Sequence, residues 1–273
     1  MWIDTHAHLD DRIFVAADGG PPGVGLRAAS RGVSMIVIPA VAPANFATVA
    51  QIAAATPNAC YGLGIHPMCV PEAVDEDLDM LRELATASMA DPRFVAIGEV
   101  GLDYFIPELC TPEMRAKQER FFRAQLRIAR DLGLPVLTHV RRAQDQVLKH
   151  VRQITPPCGI AHAFNGSFQQ AQTFIDLGFH LGFGGAFTFT RALQIRRLAT
   201  SLPLDSIVME TDSPDIAPAW VHPARNSPEN LPDIGVALAA LRGTEPLEVA
   251  AVTTQNANRA IPRMALIPPK HSD

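Results

Sequence analysis

Apolar residues along this chain fall into eight short runs, near residues 2–7, 34–40, 60–65, 94–99, 135–140, 159–163, 180–184 and 206–211. Each is rich in Val, Ile, Leu, Ala or Phe and too short for a typical helix, so each predicts a strand. The runs are apolar on both faces rather than alternating, as buried parallel strands are. Between them the period changes to that of helices. The clearest helix spans 112–132. Thr111 stands at the N-cap position, Pro112 at the first helical position and Gly133 just past the end. Phe121, Phe122, Leu126, Ile128, Ala129 and Leu132 recur at helical spacing, and Arg115, Lys117, Arg123, Arg127 and Arg130 cover the other side. Segments 77–89, 143–154, 168–177, 190–201 and 246–260 follow the same pattern more weakly. Residues 213–232 read as a Pro-rich loop, and the tail after Ile261 as extended or loose.

Strand and helix alternating about eight times predicts an α/β protein of the (β/α)8 barrel class. A doubly wound open sheet produces nearly the same pattern and stays open on periodicity alone. No GxGxxG follows the first strand and no GxxxxGK[ST] occurs, which disfavours dinucleotide and nucleoside-triphosphate binding. The chain of 273 residues suits one barrel of about 250 residues. We expect a barrel domain over 1–262 and a tail over 263–273. A hydrophobic content of 48% supports a large core, and the net charge of −5 does not match a uniformly basic, nucleic-acid-coating surface. Bound cations would reverse that sign locally and admit a phosphate-bearing substrate. Cys60, Cys69, Cys110 and Cys158 form no CxxC pair and read as free thiols of a reducing compartment. The N-terminus has no signal-peptide pattern and no apolar run would span a membrane, so we expect a cytoplasmic monomer.

The candidate chemistry lies at the strand ends. In Asp4-Thr5-His6-Ala7-His8, strand geometry projects His6 and His8 to one face with Asp4 behind them. Two such imidazoles make half a metal site, although an HxH pair alone is equally compatible with two hydrogen-bonded histidines. The pattern recurs. His66 ends Tyr61–Ile65, Glu99 ends Phe94–Gly98, His139 ends Pro135–Thr138, His162 follows Gly159–Ala161 and Asp212 follows Ile207–Thr211. Parallel barrel strands deliver their C-terminal ends to one face, and ionisable groups gathered there are costly to bury unless paired or bound to a cation. Four histidines and two carboxylates suit Zn²⁺, Mn²⁺, Fe²⁺ or Co²⁺ better than Ca²⁺, with Mg²⁺ a weaker occupant. Glu99 can bridge two cations about 3.5–4 Å apart. Asp212 can ligate one of them and orient or deprotonate a water.

These stretches resemble the TatD family of metal-dependent deoxyribonucleases in the amidohydrolase superfamily. The likeness runs through Ile3–Leu9, Gly64–Pro67, Ile97–Tyr104, Leu134–Arg141, His162–Ser167, Glu210–Pro214 and Arg225–Asn230. The resemblance implies His6, His8 and Asp212 at one divalent cation, His139 and His162 at a second, and Glu99 between them. It implies His66 close by but outside direct ligation, Arg141 as a phosphate contact, and Glu210 as a partner one layer deeper. Asp103 and Tyr104 match a family motif for which packing is an equal explanation. Glu99 stands where related amidohydrolases often carry a carboxylated lysine. Asn258–Pro262 replaces the family's usual Arg-Leu-Phe. The activity implied is hydrolysis of DNA phosphodiester bonds by a metal-bound hydroxide, with DNA a transient partner. Two other readings compete: hydrolysis of a small-molecule amide or ester at the same centre, favoured by the acidic net charge and by the presence of only two Tyr and two Trp, and a binding protein with a relict metal site. Arg142, Arg191, Arg196, Arg197 and Arg225 are further phosphate contacts to consider.

Overall fold

All eight apolar runs are strands, joined in a single parallel sheet in chain order: β1 (Trp2–Asp4), β2 (Val33–Pro39), β3 (Ala59–Leu63), β4 (Phe94–Asp103), β5 (Val136–Arg141), β6 (Gly159–Ala161), β7 (Phe179–Phe183) and β8 (Ile207–Met209). The structure is a computed structural model that describes residues 1–268. The first and last strands meet through the segments that prolong them. Thr5 N–H donates to Met209 O at 3.1 Å, Asp212 N–H to His6 O at 2.9 Å and His8 N–H to Ser213 O at 2.8 Å. The sheet is thereby closed into a (β/α)8 barrel, and the open-sheet alternative falls.

The helices are α1 (Arg12–Val15), α2 (Gly20–Ser30), α3 (Phe46–Ala55), α4 (Asp75–Ser88), α5 (Pro112–Leu132), α6 (Gln144–Ile154), α7 (Phe168–Asp176), α8 (Leu193–Ser201), α9 (Leu231–Arg242) and α10 (Pro246–Ala260). Helix α5 starts where its cap predicts: Thr111 Oγ1 accepts the Met114 N–H at 3.2 Å, and Gly133 closes the end at φ 66°. Among the described residues no helix is long and apolar enough to cross a membrane. Four helices have no counterpart in the sequence pattern, the single turn of α1 among them. Two Pro and three Gly disguise α2 as a loop, an apolar stretch of Ala, Val and Ile gives α3 no clear polar face, and Gly235 interrupts α9.

Two core layers result. The larger lies between strands and helices. The smaller takes Ile3, Val37, Cys60, Val95, Leu137, Ile160 and Val208 from seven of the strands, so it fills the barrel, and Ala257, Ala260, Ile261 and Met264 plug it from below. The segment expected to be loose after Ile261 is instead a 3-10 turn, Pro262–Leu266. Arg263 fastens it by donating to the carbonyls of Phe94, Met89 and Asp91 at 2.7–3.0 Å. The rest of that expectation, residues 269–273, lies outside the described residues.

Alternation sets polar chemistry directly above this apolar plug. Side chains two apart share a face, so Leu137 is followed by His139, Ile160 by His162, and Val208 by Glu210 and Asp212.

Candidate metal centre

The strand ends open into one cavity of about 870 Å³, lined among others by His8, His66, Glu99, His139, His162, Glu210 and Asp212. His6 lies buried behind them. Glu99 sits at the centre. Its Oε2 is 3.1 Å from His6 Nε2 and 3.6 Å from His8 Nε2, and its Oε1 is 2.9 Å from His139 Nδ1 and 3.3 Å from His66 Nε2. Asp212 faces the other side, with Oδ1 3.8 Å from His6 Nε2 and 3.7 Å from His8 Nε2, and Oδ2 3.5 Å from His162 Nε2. The His6 and His162 rings stack at 3.6 Å between centroids.

Backbone geometry places these groups. Strand β4 does not end at Glu99, as its apolar run suggested, but continues to Asp103, with the register against β5 shifting between Gly98 and Val100. That bulge leaves Glu99 unpaired with β5, and its N–H turns back to Ala40 O at 2.8 Å. Beyond the strands, Arg142, Ala163, Asp212 and Ile216 hold positive φ without being glycine. Such conformations cost about 1 kcal/mol or more each and collect at functional sites. Asp4, behind the metal face, ties β1 to β8: its carboxylate accepts Thr211 Oγ1–H at 2.6 Å and Thr211 N–H at 2.9 Å.

Charge within the cluster is mutually sustaining. Burial alone would raise the Glu99 carboxyl, but the His66 and His6 imidazoles and the hydrogen bond to His139 outweigh it and hold it well below the usual carboxylate range. Burial likewise opposes ionisation of Asp212, and His162 overcomes it. His162 is pushed well above the usual imidazole range: burial works against its charge, but Glu210 and Asp212 more than compensate. Glu210 Oε1 is 3.2 Å from His162 Nδ1 and accepts Ala163 N–H at 2.6 Å. It has room only because β7 carries Gly182; a Cβ there would come within 2.1 Å of Glu210 Oε2.

The ligating atoms form three close groups, each with its atoms within 4.8 Å: His6 with His8 and Asp212, His6 with Glu99 and His162, and His66 with Glu99 and His139. The first is the trio expected. His139 and His162, expected to share a cation, fall into different groups, and His66 stands as near Glu99 as a ligand would. Arg141 lines the same cavity, with Nη1 3.9 Å from Asp103 Oδ2.

A family model described as TatD related DNase matches residues 3–262. The chain belongs to the TatD family. It is 38% identical to a metal-dependent hydrolase of Haemophilus influenzae, over 94% of this chain and 97% of the relative. It is 35% identical to the 3'-5' ssDNA/RNA exonuclease TatD of Salmonella typhimurium, over 76% of this chain and 79% of that one. The crystal structure of the TatD homologue YjjV from Escherichia coli superposes with a TM-score of 0.88 at 32% identity, covering 96% of this chain and 98% of that one. An organophosphorus hydrolase shares the barrel at a TM-score of 0.67 and 17% identity, which speaks to the fold alone. The protein is accordingly a TatD-family metal-dependent hydrolase.

Sequence reasoning undervalued one residue of this TatD site. Asp103 is fully buried, and its Oδ2 lies 3.2 Å from His139 Nε2. Its Oδ1 accepts the N–H groups of Phe105 and Ile106 at 2.8 and 3.2 Å. Burial disfavours its charge, yet these hydrogen bonds and His139 bring its carboxyl down to about 2. The available signal was spacing: Asp103 stands four residues beyond Glu99 on a strand that the apolar pattern ended too early.

Proposed function

We propose that this chain is a divalent-cation-dependent phosphodiesterase acting on DNA from single-stranded ends. The observation that carries it is one cavity whose floor brings five histidines to the carboxylates of Glu99 and Asp212 and whose rim bears Arg141 and Arg142. The Salmonella relative, named for 3'-5' exonuclease action on ssDNA and RNA, supports the same substrate class.

The donors fit a cation. Imidazole nitrogens from four strands converge on two carboxylates held ionised, and mixed N/O sets of this kind suit Zn²⁺, Mn²⁺ or, more weakly, Mg²⁺. His6, His8 and Asp212 would hold one ion. Glu99 would serve a second, with His139 and His66 in one close group around it and His162 in the other. Such ions, when bound, supply a Lewis acid that offsets phosphate charge and acidifies water.

The protein's own groups do the rest. Asp212, ionised and open to the cavity, accepts the proton of the attacking water; the bond from phosphorus to the leaving ester oxygen breaks, and that oxygen takes a proton from Asp212 or from solvent. Glu210 fixes the His162 ring, and Asp103 fixes that of His139. Arg141 balances the charge gathering on the phosphoryl oxygens.

The test is cleavage of end-labelled single-stranded oligonucleotides with Mg²⁺, Mn²⁺ or Zn²⁺. We expect metal-dependent shortening that Glu99→Ala abolishes. Undiminished cleavage by that variant, or none by the wild type, removes the proposal. Turnover of acyl amides or carboxylic esters alone would establish the small-molecule alternative, which the carboxylates of Asp10, Asp11 and Asp215 along the same cavity favour.

A further inference from the structure

The cavity mouth is electrically lopsided. On the side of β1 and β8 it is lined by Asp10, Asp11 and Asp215, of which Asp215 is paired with Arg225 at 2.9 Å, and on the side of β4 and β5 by Arg141 and Arg142. A polyanion reaching the floor is repelled from the first side and drawn to the second. On that second side stands Phe105, 42% exposed although it lines a cavity. Both guanidinium groups lie over its ring, Arg141 Cζ at 3.8 Å from the centroid and Arg142 Cζ at 4.6 Å.

The arrangement is built rather than incidental. Asp103 Oδ1 accepts the N–H of Phe105 itself and of Ile106, so the loop carrying the ring is pinned to the end of β4. The other oxygen of that carboxylate faces His139. One buried group thus registers the aromatic ring against the catalytic floor. Arg142 takes φ 53° immediately after β5, which turns the chain at the rim.

We propose that Phe105, Arg141 and Arg142 form a nucleotide subsite beside the scissile phosphodiester. The guanidinium groups take the phosphate, and the ring, uncovered as they turn to it, stacks the adjoining base. Bases of every type present a π face, so this subsite selects nucleic acid over other phosphodiesters without selecting sequence. The inference rests on the phosphodiesterase reading and adds the group that recognises the nucleoside.

Two phosphodiesters that share a leaving group separate the roles: thymidine 5'-(4-nitrophenyl) phosphate and methyl 4-nitrophenyl phosphate. Phe105→Leu should lower kcat/KM for the thymidine ester about tenfold, chiefly through KM, as expected for the loss of one stacked base. The methyl ester, which has no base to stack, should lose much less, and Phe105→Trp should retain the wild-type preference. Equal losses on both esters, or no loss on either, would overturn the proposal. A second measurement stands apart from turnover: fluorescence anisotropy of a labelled oligo(dT) in EDTA across a salt series. Arg142→Gln should flatten the slope of log K against log salt by about 0.7, the contribution of one phosphate contact on a single strand. Phe105→Leu should weaken binding with the slope kept. Phe105-dependent binding by a protein that cleaves neither ester would keep the subsite and remove the phosphodiesterase reading. Oligonucleotide binding indifferent to both residues would remove the subsite while leaving catalysis to stand.

Discussion

At the scale of single residues, the carboxylate of Asp103 divides its two oxygens between two tasks. Oδ1 holds the Phe105–Ile106 turn, and Oδ2 takes the Nε2 side of His139, leaving Nδ1 toward Glu99. A carboxylate on one ring nitrogen fixes the tautomer in which the other offers its lone pair to a cation. Asp103→Asn can keep the turn, because one oxygen remains, but its amide nitrogen cannot accept from His139. We expect cation affinity and kcat/KM to fall about 10–100-fold with little change in Tm, measured by isothermal titration with Mn²⁺ and by oligonucleotide turnover. Unchanged affinity would confine Asp103 to the turn. Glu210 performs the parallel task for His162, through Nδ1 instead of Nε2. The floor therefore uses opposite imidazole nitrogens on neighbouring strands, each ring fixed from behind by its own carboxylate.

At the scale of elements, β4 shows where pattern reading stops. Strand existence was legible because each strand is apolar on both faces, and most site residues were legible because they interrupt that apolarity. The bulge was not, since it exists only in the pairing of β4 with β5 and leaves no mark in either strand alone. The sequence therefore leaves Asp103 open between a family motif and packing. The α2 and α9 helices were hidden by Gly and Pro that tertiary contacts tolerate: Gly235 faces the Trp2 ring, 2.1 Å from where its Cβ would lie. The bulge has a testable requirement at Gly101, where an added Cβ would approach His139 O to 2.0 Å. Gly101→Ala must push β4 away from β5. We expect a stability loss of about 1–3 kcal/mol, read by urea denaturation. We expect an activity loss of about a hundredfold as His139 shifts against Glu99, read in single-turnover cleavage. A variant of full activity would show that the two strands can separate there without moving the site.

At the scale of the whole molecule, the barrel is braced at both ends by unlike means. Below, Met264 and Ile261 plug the interior and Arg263 ties that plug to β4. Above, β1 and β8 are joined by backbone hydrogen bonds and the Asp4–Thr211 contact, while the floor of the cavity gathers imidazoles and carboxylates. A cation held by His6, His8 and Asp212 would link β1 to β8, and one shared through Glu99 would link β4 to β5 and β6. Metal binding and global stability are therefore coupled, because the unfolded chain cannot present these donors together. At a free cation concentration about 100 times Kd the linkage is worth about 2.7 kcal/mol, or roughly 5–10 °C in Tm for a chain of this size. Differential scanning calorimetry with Mn²⁺ or Zn²⁺ against EDTA should show that rise in the wild type. In Glu99→Gln most of it should vanish, since the shared carboxylate is lost, whereas Arg141→Gln should keep it, since that side chain serves the substrate. A Tm indifferent to every cation would break the link between fold and metal. An equal rise in Glu99→Gln would move the ion to the His6, His8 and Asp212 trio alone.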